Sequence, residues 1–314
     1  YSLLNTMANQ TMTSLTHVKR DEDGGRVGAP PLIAFNALIF DVSGSTESMG
    51  DAPVEQLHEL MNQLKEDATK DDRNIQLSLH TFSSTIKQVF PAAKDENSVD
   101  MRTFTIPSID ELREILRPGG CTALYDAGIQ GLDVLDRAYD KEVAKIPKSV
   151  MALNPKFTKC YVLSTDGYDN TSTASISDFK KKLLEAKKNG VQPLFLSANI
   201  STALTEQMGF ESNTTAQFQP TYQGMTQMLR ATTNALRQYS SGATDTIDSQ
   251  MLTQDMDPVT PPTPPQYDSN GTPMMPGLGS GISPGMGGGI SLRQHANPTF
   301  DTVWGRAPPP LRRY

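Results

Sequence analysis

Leu32-Ile33-Ala34-Phe35-Asn36-Ala37-Leu38-Ile39-Phe40-Asp41-Val42-Ser43-Gly44-Ser45 is the stretch from which the rest of the chain can be read. A run this apolar, seldom interrupted, suits a strand buried on both faces of a parallel sheet. It stops at a carboxylate, Asp41, and two hydroxyls follow at alternate positions. In an extended chain, side chains two residues apart point to one side, so Asp41, Ser43 and Ser45 can converge. Gly44 lets the backbone turn between the serines. One carboxylate and two hydroxyls are hard oxygen donors, which suit Mg2+ or Mn2+ rather than zinc or copper.

Outward from this strand, residues from about Pro30 to Ser240 alternate between strand and helix patterns. Val54, Leu57, Met61, Leu64 and Ala68 recur at helical spacing after Asp51, a candidate cap, and Pro53. Ile75 to Phe82 alternates strictly and predicts a strand with one wetter face, paired with Ile86–Phe90 across Ser83-Ser84-Thr85. A short helix is expected over Ser108–Leu116, ended by Pro118-Gly119-Gly120, and a long one from Ala123 to about Ile146. Cys160–Thr165 reads as a second buried strand, again ending at a carboxylate, Asp166. A helix from Ile176 to Asn189, a strand over Val191–Ala198 and a helix from about Thr221 to Tyr239 complete the pattern. Such alternation predicts an α/β fold, a doubly wound and mainly parallel sheet covered by helices.

The flanks differ in composition. Residues 1–29 are polar, end in the mixed-charge stretch Lys19 to Gly28, and read as an arm with no core of its own. Residues 241–314 hold 12 of the 22 prolines and 10 of the 23 glycines, the mark of a low-complexity tail. Pro264-Pro265-Gln266-Tyr267 in that tail fits the polyproline-type ligand of WW domains, but so short a motif arises readily by chance in proline-rich sequence and a linker is the better reading. The chain of 314 residues carries 28 basic against 35 acidic residues, net −7, which argues against nucleic acid as a partner. Two cysteines, Cys121 and Cys160, form no disulfide framework and point to a reducing compartment, hence an intracellular or cytoplasmic location. No apolar run approaches the roughly 20 residues that cross a bilayer. The first residue is Tyr1 and not Met, which leaves room for a removed leader.

Ligands of open parallel sheets bind at the carboxyl ends of the strands, where the winding reverses. Three polar clusters fall at such loops: Asp41-Val42-Ser43-Gly44-Ser45, Gly119 to Asp126 with Thr122 before a helix, and Ser164 to Asn170 with Asp166. Together they resemble the metal-ion-dependent adhesion site (MIDAS) of the von Willebrand factor A domain family, over roughly residues 30–240. DxSxS stands as Asp41, Ser43 and Ser45, the distant threonine as Thr122 in GGCTALYDA, and the last aspartate as Asp166 in STDGYDN.

The resemblance implies a mostly parallel central sheet with one short antiparallel edge strand. It implies that Ser43, Ser45 and Thr122 ligate Mg2+ or Mn2+, with Asp41 and Asp166 holding it directly or through waters. Neutral hydroxyls leave the cation electron-poor, so an acidic side chain of a protein partner can complete its coordination. The expected function is non-catalytic, cation-dependent protein–protein interaction in a scaffold or assembly, such as a virus particle, whose tail contacts neighbouring subunits. A related alternative is a substrate-recruiting or regulatory subunit of an AAA+ ATPase machine.

Rival readings are weaker. A haloacid-dehalogenase-like phosphatase also opens on a strand ending in aspartate, but it needs a second carboxylate where Ser43 stands. Thr46-Glu47-Ser48-Met49-Gly50 departs from relatives that carry Met directly after the serines, and Glu47 reads as solvated. Asp126, Asp169 and Asn170 read as loop or helix-end caps, and Cys121 as a small packing residue.

Overall fold

The computed structural model describes residues 32–92 and 96–253. The arm at 1–29 and the motif at Pro264–Tyr267 lie outside them. The apolar opening run forms β1 (Leu32–Asp41), in which every residue after Leu32 is buried. It lies in the middle of a seven-stranded sheet of order β3-β2-β1-β5-β6-β7. β2 (Asn74–Phe82), β5 (Lys156–Thr165), β6 (Val191–Ser197) and β7 (Thr215–Gln217) run parallel to their neighbours along this path. β3 (Ile86–Phe90) and the two-residue β4 (Val99–Asp100) pair antiparallel with β2 at one edge. This is the mainly parallel α/β architecture expected from the strand and helix alternation.

Helices cover both faces. α1 (Ala52–Lys70) and the later helix α7 (Tyr222–Ser240) bury Leu57, Leu60, Leu64, Met228, Leu229 and Leu236 against one face. α2 (Ile109–Ile115) starts at a capping box in which Ser108 and Glu111 satisfy each other's backbone N–H. α3 (Leu124–Lys145) and α5 (Ile176–Lys188) cover the opposite face, with α4 (Lys148–Met151) and α6 (Thr202–Met208) as short connections. α3 lies close on the sheet because Gly131 has no side chain: a Cβ there would stand 2.5 Å from Ile39 Cδ1. Tyr161 uses the same closeness to donate its hydroxyl to the Gly128 carbonyl at 3.1 Å.

Four expectations change. The alternating strand β2 has no wet face; all nine of its residues are buried, since α3 covers the polar side. Asp51 occupies the N-cap position of α1 without a capping bond and pairs instead with Arg113 at 3.0 Å. Cys121 is exposed rather than packed. The chain also stays folded beyond residue 240, through α8 (Ser249–Thr253), where Ile247 and Leu252 enter the core. Composition misplaced that boundary because two apolar side chains among polar neighbours carry no periodic signal. No helix among the described residues is long and apolar enough to cross a membrane.

Candidate metal centre

β1 and β5 end side by side, and their register sets Phe40 against Ser164. The next positions, Asp41 and Thr165, therefore meet on the α3 side of the sheet. Thr165 donates its hydroxyl to Asp41 Oδ2 at 2.5 Å, while the Ser43 N–H donates to Asp41 Oδ1 at 2.7 Å. Past Ser43 the chain enters a 3-10 turn, Gly44–Met49, secured by a bond from the Thr46 hydroxyl to the Ser43 carbonyl. The Ser43 and Ser45 hydroxyls lie 3.0 Å apart, and Ser45 Oγ donates to Asp166 Oδ1 at 2.7 Å. Four of the five sequence-predicted residues are thus linked through hydrogen bonds.

Thr122 arrives by a different route. Its loop is tied to the first by Gly44 N–H to the Gly120 carbonyl (3.2 Å) and Gly119 N–H to the Val42 carbonyl (2.8 Å). It is tied to the third by Thr122 N–H to Asn170 Oδ1 (2.8 Å) and Asn170 N–H to the Thr122 carbonyl (3.0 Å). A Cβ on Gly167 would stand 3.7 Å from Ser45 Oγ and 3.8 Å from Thr122 Oγ1, so both hydroxyls border one small space. Glycine at 167 keeps that space open.

The expected caps act as caps. Asp169 Oδ1 accepts from Leu124 N–H at 2.8 Å, satisfying a free donor at the start of α3. Asp126 accepts from the Thr173 and Ala174 backbone at 2.8 and 2.9 Å and so holds the third loop from the other side. Glu47 is exposed. Asn170, also expected as a cap, accepts from the Thr122 N–H, whereas the motif reading gave no role to Thr165, to Gly167 or to Ser172, whose Oγ accepts from the Tyr125 and Asp126 N–H at 3.0 and 3.1 Å. Thr165 becomes legible only once the β1–β5 register is known.

Electrostatics set this cluster apart. Asp41 is 8% exposed and Asp166 4%, and among the described residues no Lys, Arg or His pairs with either. Burial pushes Asp41 up to about 6, against the lowering effect of its bonds from Thr165 and Ser43, and the Asp166 charge adds to the rise. Burial raises Asp166 as well. Two carboxylates so placed lack a positive counter-charge, which a cation would supply. The donor set consists of two carboxylates and three hydroxyls, and no group of three or more His, Cys, Asp or Glu gathers among the described residues. An all-oxygen, hydroxyl-rich set fits a hard divalent ion. A cavity of about 610 Å3 lined by Asn74, Gln76 and Phe104 involves none of these residues.

The family described as the von Willebrand factor type A domain matches residues 37–227. Solved structures are similar to this chain at low identity. Proximal thread matrix protein 1 from the mussel byssus, with a zinc-occupied MIDAS motif, is 15% identical, with TM-score 0.42, covering 66% of this chain and 48% of that one. The PilB minor pilin from Streptococcus sanguinis is 17% identical, with TM-score 0.43, covering 68% and 63%. A von Willebrand factor type A protein from Catenulispora acidiphila is 14% identical, with TM-score 0.44, covering 67% and 43%. The chain spans less than two thirds of the length of each of these three. Among curated proteins no relative matches. With the family match extending over more than half of its length, the chain belongs to the von Willebrand factor type A domain family.

Proposed function

We propose that this chain is a divalent-cation-dependent protein-interaction module, an assembly or scaffold component that does no bond-making chemistry. The observation that carries this reading is the pair of buried carboxylates, Asp41 held by the Ser43 N–H and the Thr165 hydroxyl and Asp166 by the Ser45 hydroxyl, both left without a basic partner. Ser43, Ser45 and Thr122 would hold Mg2+ or Mn2+ directly, with Asp41 and Asp166 ligating it or its waters. When bound, the ion supplies an electron-poor centre with a coordination position open to a partner's carboxylate.

The chain's own residues fit binding better than turnover. Both Asp41 oxygens are engaged, by the Ser43 N–H and the Thr165 hydroxyl, which orients the carboxylate and leaves it a poor nucleophile. Ser43 stands where a phosphatase of the haloacid-dehalogenase type would need its general acid. The interlocked backbone of the three loops holds the hydroxyls in place before any ion arrives, which lowers the ordering cost of binding.

Calorimetric titration of Mg2+ and Mn2+, with Zn2+ as competitor, tests the reading. Saturable one-site binding that Thr122→Ala and Ser43→Ala weaken at least about tenfold is expected, since each removes one proposed ligand. Absence of binding by all three ions, or turnover of a phosphomonoester, would overturn it.

A further inference from the structure

The metal end of the domain has a rim of defined character. Glu47 is exposed on the 3-10 turn that starts between the two serines. Beyond Gly50, Tyr222 is 48% exposed and donates its hydroxyl to Glu55. Across the site, Tyr168 is 51% exposed, two residues after Asp166. A segment suited to this surface would bring a carboxylate to the cation and, beside it, a basic side chain for the acidic and aromatic rim.

Among the residues that precede Leu32 or follow Thr253, one segment is of this kind, Lys19-Arg20-Asp21-Glu22-Asp23. The aspartates after residue 253, Asp255, Asp257, Asp268 and Asp301, have no Lys or Arg within two residues. Resting on the metal-site reading above, we infer that residues 19–23 of one copy dock on the metal centre of a second copy, a carboxylate completing the ion's coordination while Lys19 and Arg20 face Glu47 and Glu55.

Reach is the reason for a second copy. Residue 32 stands at the far end of β1, whose ten residues put it about 30 Å from Asp41. Asp23 is nine residues from Leu32 and spans at most about 30 Å, Asp21 about 40 Å. The straight path is closed, because β1 lies between β2 and β5 with helices on both faces. A path over the surface must clear a helix layer about 10 Å thick and return, roughly 50 Å in all. The acidic triplet therefore falls short of its own metal centre but not of a neighbour's. Such a contact is heterologous, arm to site, and propagates head to tail into rings or filaments.

The test uses the full chain, with mass measured by sedimentation equilibrium in Mg2+ and in chelator, beside calorimetry of Mg2+ on the same samples. Association in Mg2+ that chelator reverses is expected. The triple variant Asp21→Asn, Glu22→Gln, Asp23→Asn should stay monomeric and still bind Mg2+ saturably, more weakly than the associating parent, whose association and Mg2+ binding reinforce each other. Thr122→Ala should stay monomeric as well, and mixing it with the triple variant should give pairs and nothing larger. A parent that binds Mg2+ yet remains monomeric, or a triple variant that still associates, overturns the inference and leaves the metal reading standing. A parent that does not bind Mg2+ overturns both.

Discussion

Two sets of polar side chains are buried in the same sheet, and they behave differently. At the carboxyl ends of β1 and β5, Asp41, Asp166, Ser43 and Thr165 are buried together. On the α3 side of β2, Asn74, Gln76, Ser78 and His80 form an equally buried row. The row is neutral and partly self-sufficient: Gln76 donates to Asn74 Oδ1 at 2.7 Å and accepts from the Ser98 hydroxyl at 2.9 Å. Burial holds His80 down to about 4, so its ring is uncharged at neutral pH. The strand-end cluster is also hydrogen-bonded, but its bonds leave negative charge in excess. Polar burial alone thus does not mark a site; unbalanced charge at an opening does.

Replacing one member in each region gives the largest expected contrast. Asp41→Asn keeps the shape, its amide can donate to the Thr165 hydroxyl, and that hydroxyl can turn to the Gly167 carbonyl it already reaches at 3.2 Å. Mg2+ affinity should fall more than about 100-fold, and the stabilisation of about 2.7 kcal/mol expected at 100 times Kd should vanish from thermal melts. His80→Leu should leave the Mg2+ response intact. Equal loss in both variants would erase the distinction.

Acid titration of stability in chelator sharpens the same comparison through opposite slopes. Asp41 has its folded pKa raised from 3.8 to about 6, so its contribution is complete below 3.8 and is lost as pH rises through 6. His80 has its pKa lowered from 6.5 to about 4, so its contribution is complete above 6.5 and is lost as pH falls through 4. Each is worth on the order of 3 kcal/mol. Denaturant curves from pH 4 to 7 should therefore tilt upward with pH for Asp41→Asn and downward for His80→Leu, relative to the parent. Parallel curves for all three proteins would contradict the electrostatic account.

Gly167→Ala gives the smallest effect and the most local one. Its methyl group meets Ser45 Oγ and Thr122 Oγ1 at ordinary contact distance, so stability should change by less than about 1 kcal/mol. Crowding between the hydroxyls should still weaken Mg2+ several-fold, on the order of 1 kcal/mol in binding. Gln76→Leu, in the neutral row, should leave Mg2+ affinity unchanged. Unaltered Mg2+ affinity in Gly167→Ala would place the ion away from that space.

Much of this was legible in the chain. The apolar run ending at Asp41, the helical spacing from Val54 to Ala68 and the second strand ending at Asp166 all appear where their periodicity puts them. Spacing at a strand end brings Asp41, Ser43 and Ser45 together, while Thr122 and Asp166 join them as candidate ligands through the family resemblance. Less was legible where the signal is not local. Alternation in β2 describes side-chain direction truly but says nothing of what covers each face, and α3 covers the face expected to be wet. Ile247 and Leu252 show the same limit at the end of the folded region.

The sequence by itself determined the order of strands and helices and the three loops that carry oxygen donors, because hydrophobic period and chain punctuation are properties of neighbouring residues. Tertiary structure decided the rest. The β1–β5 register put Thr165 on Asp41, backbone bonds from Gly44 to Gly120 and from Gly119 to Val42 brought the Thr122 loop to the serines, and the packing of α3 turned an alternating strand into a dry one. Each of these depends on contacts between distant segments, and burial, which sets the charge state of Asp41 and His80, exists only once those contacts form.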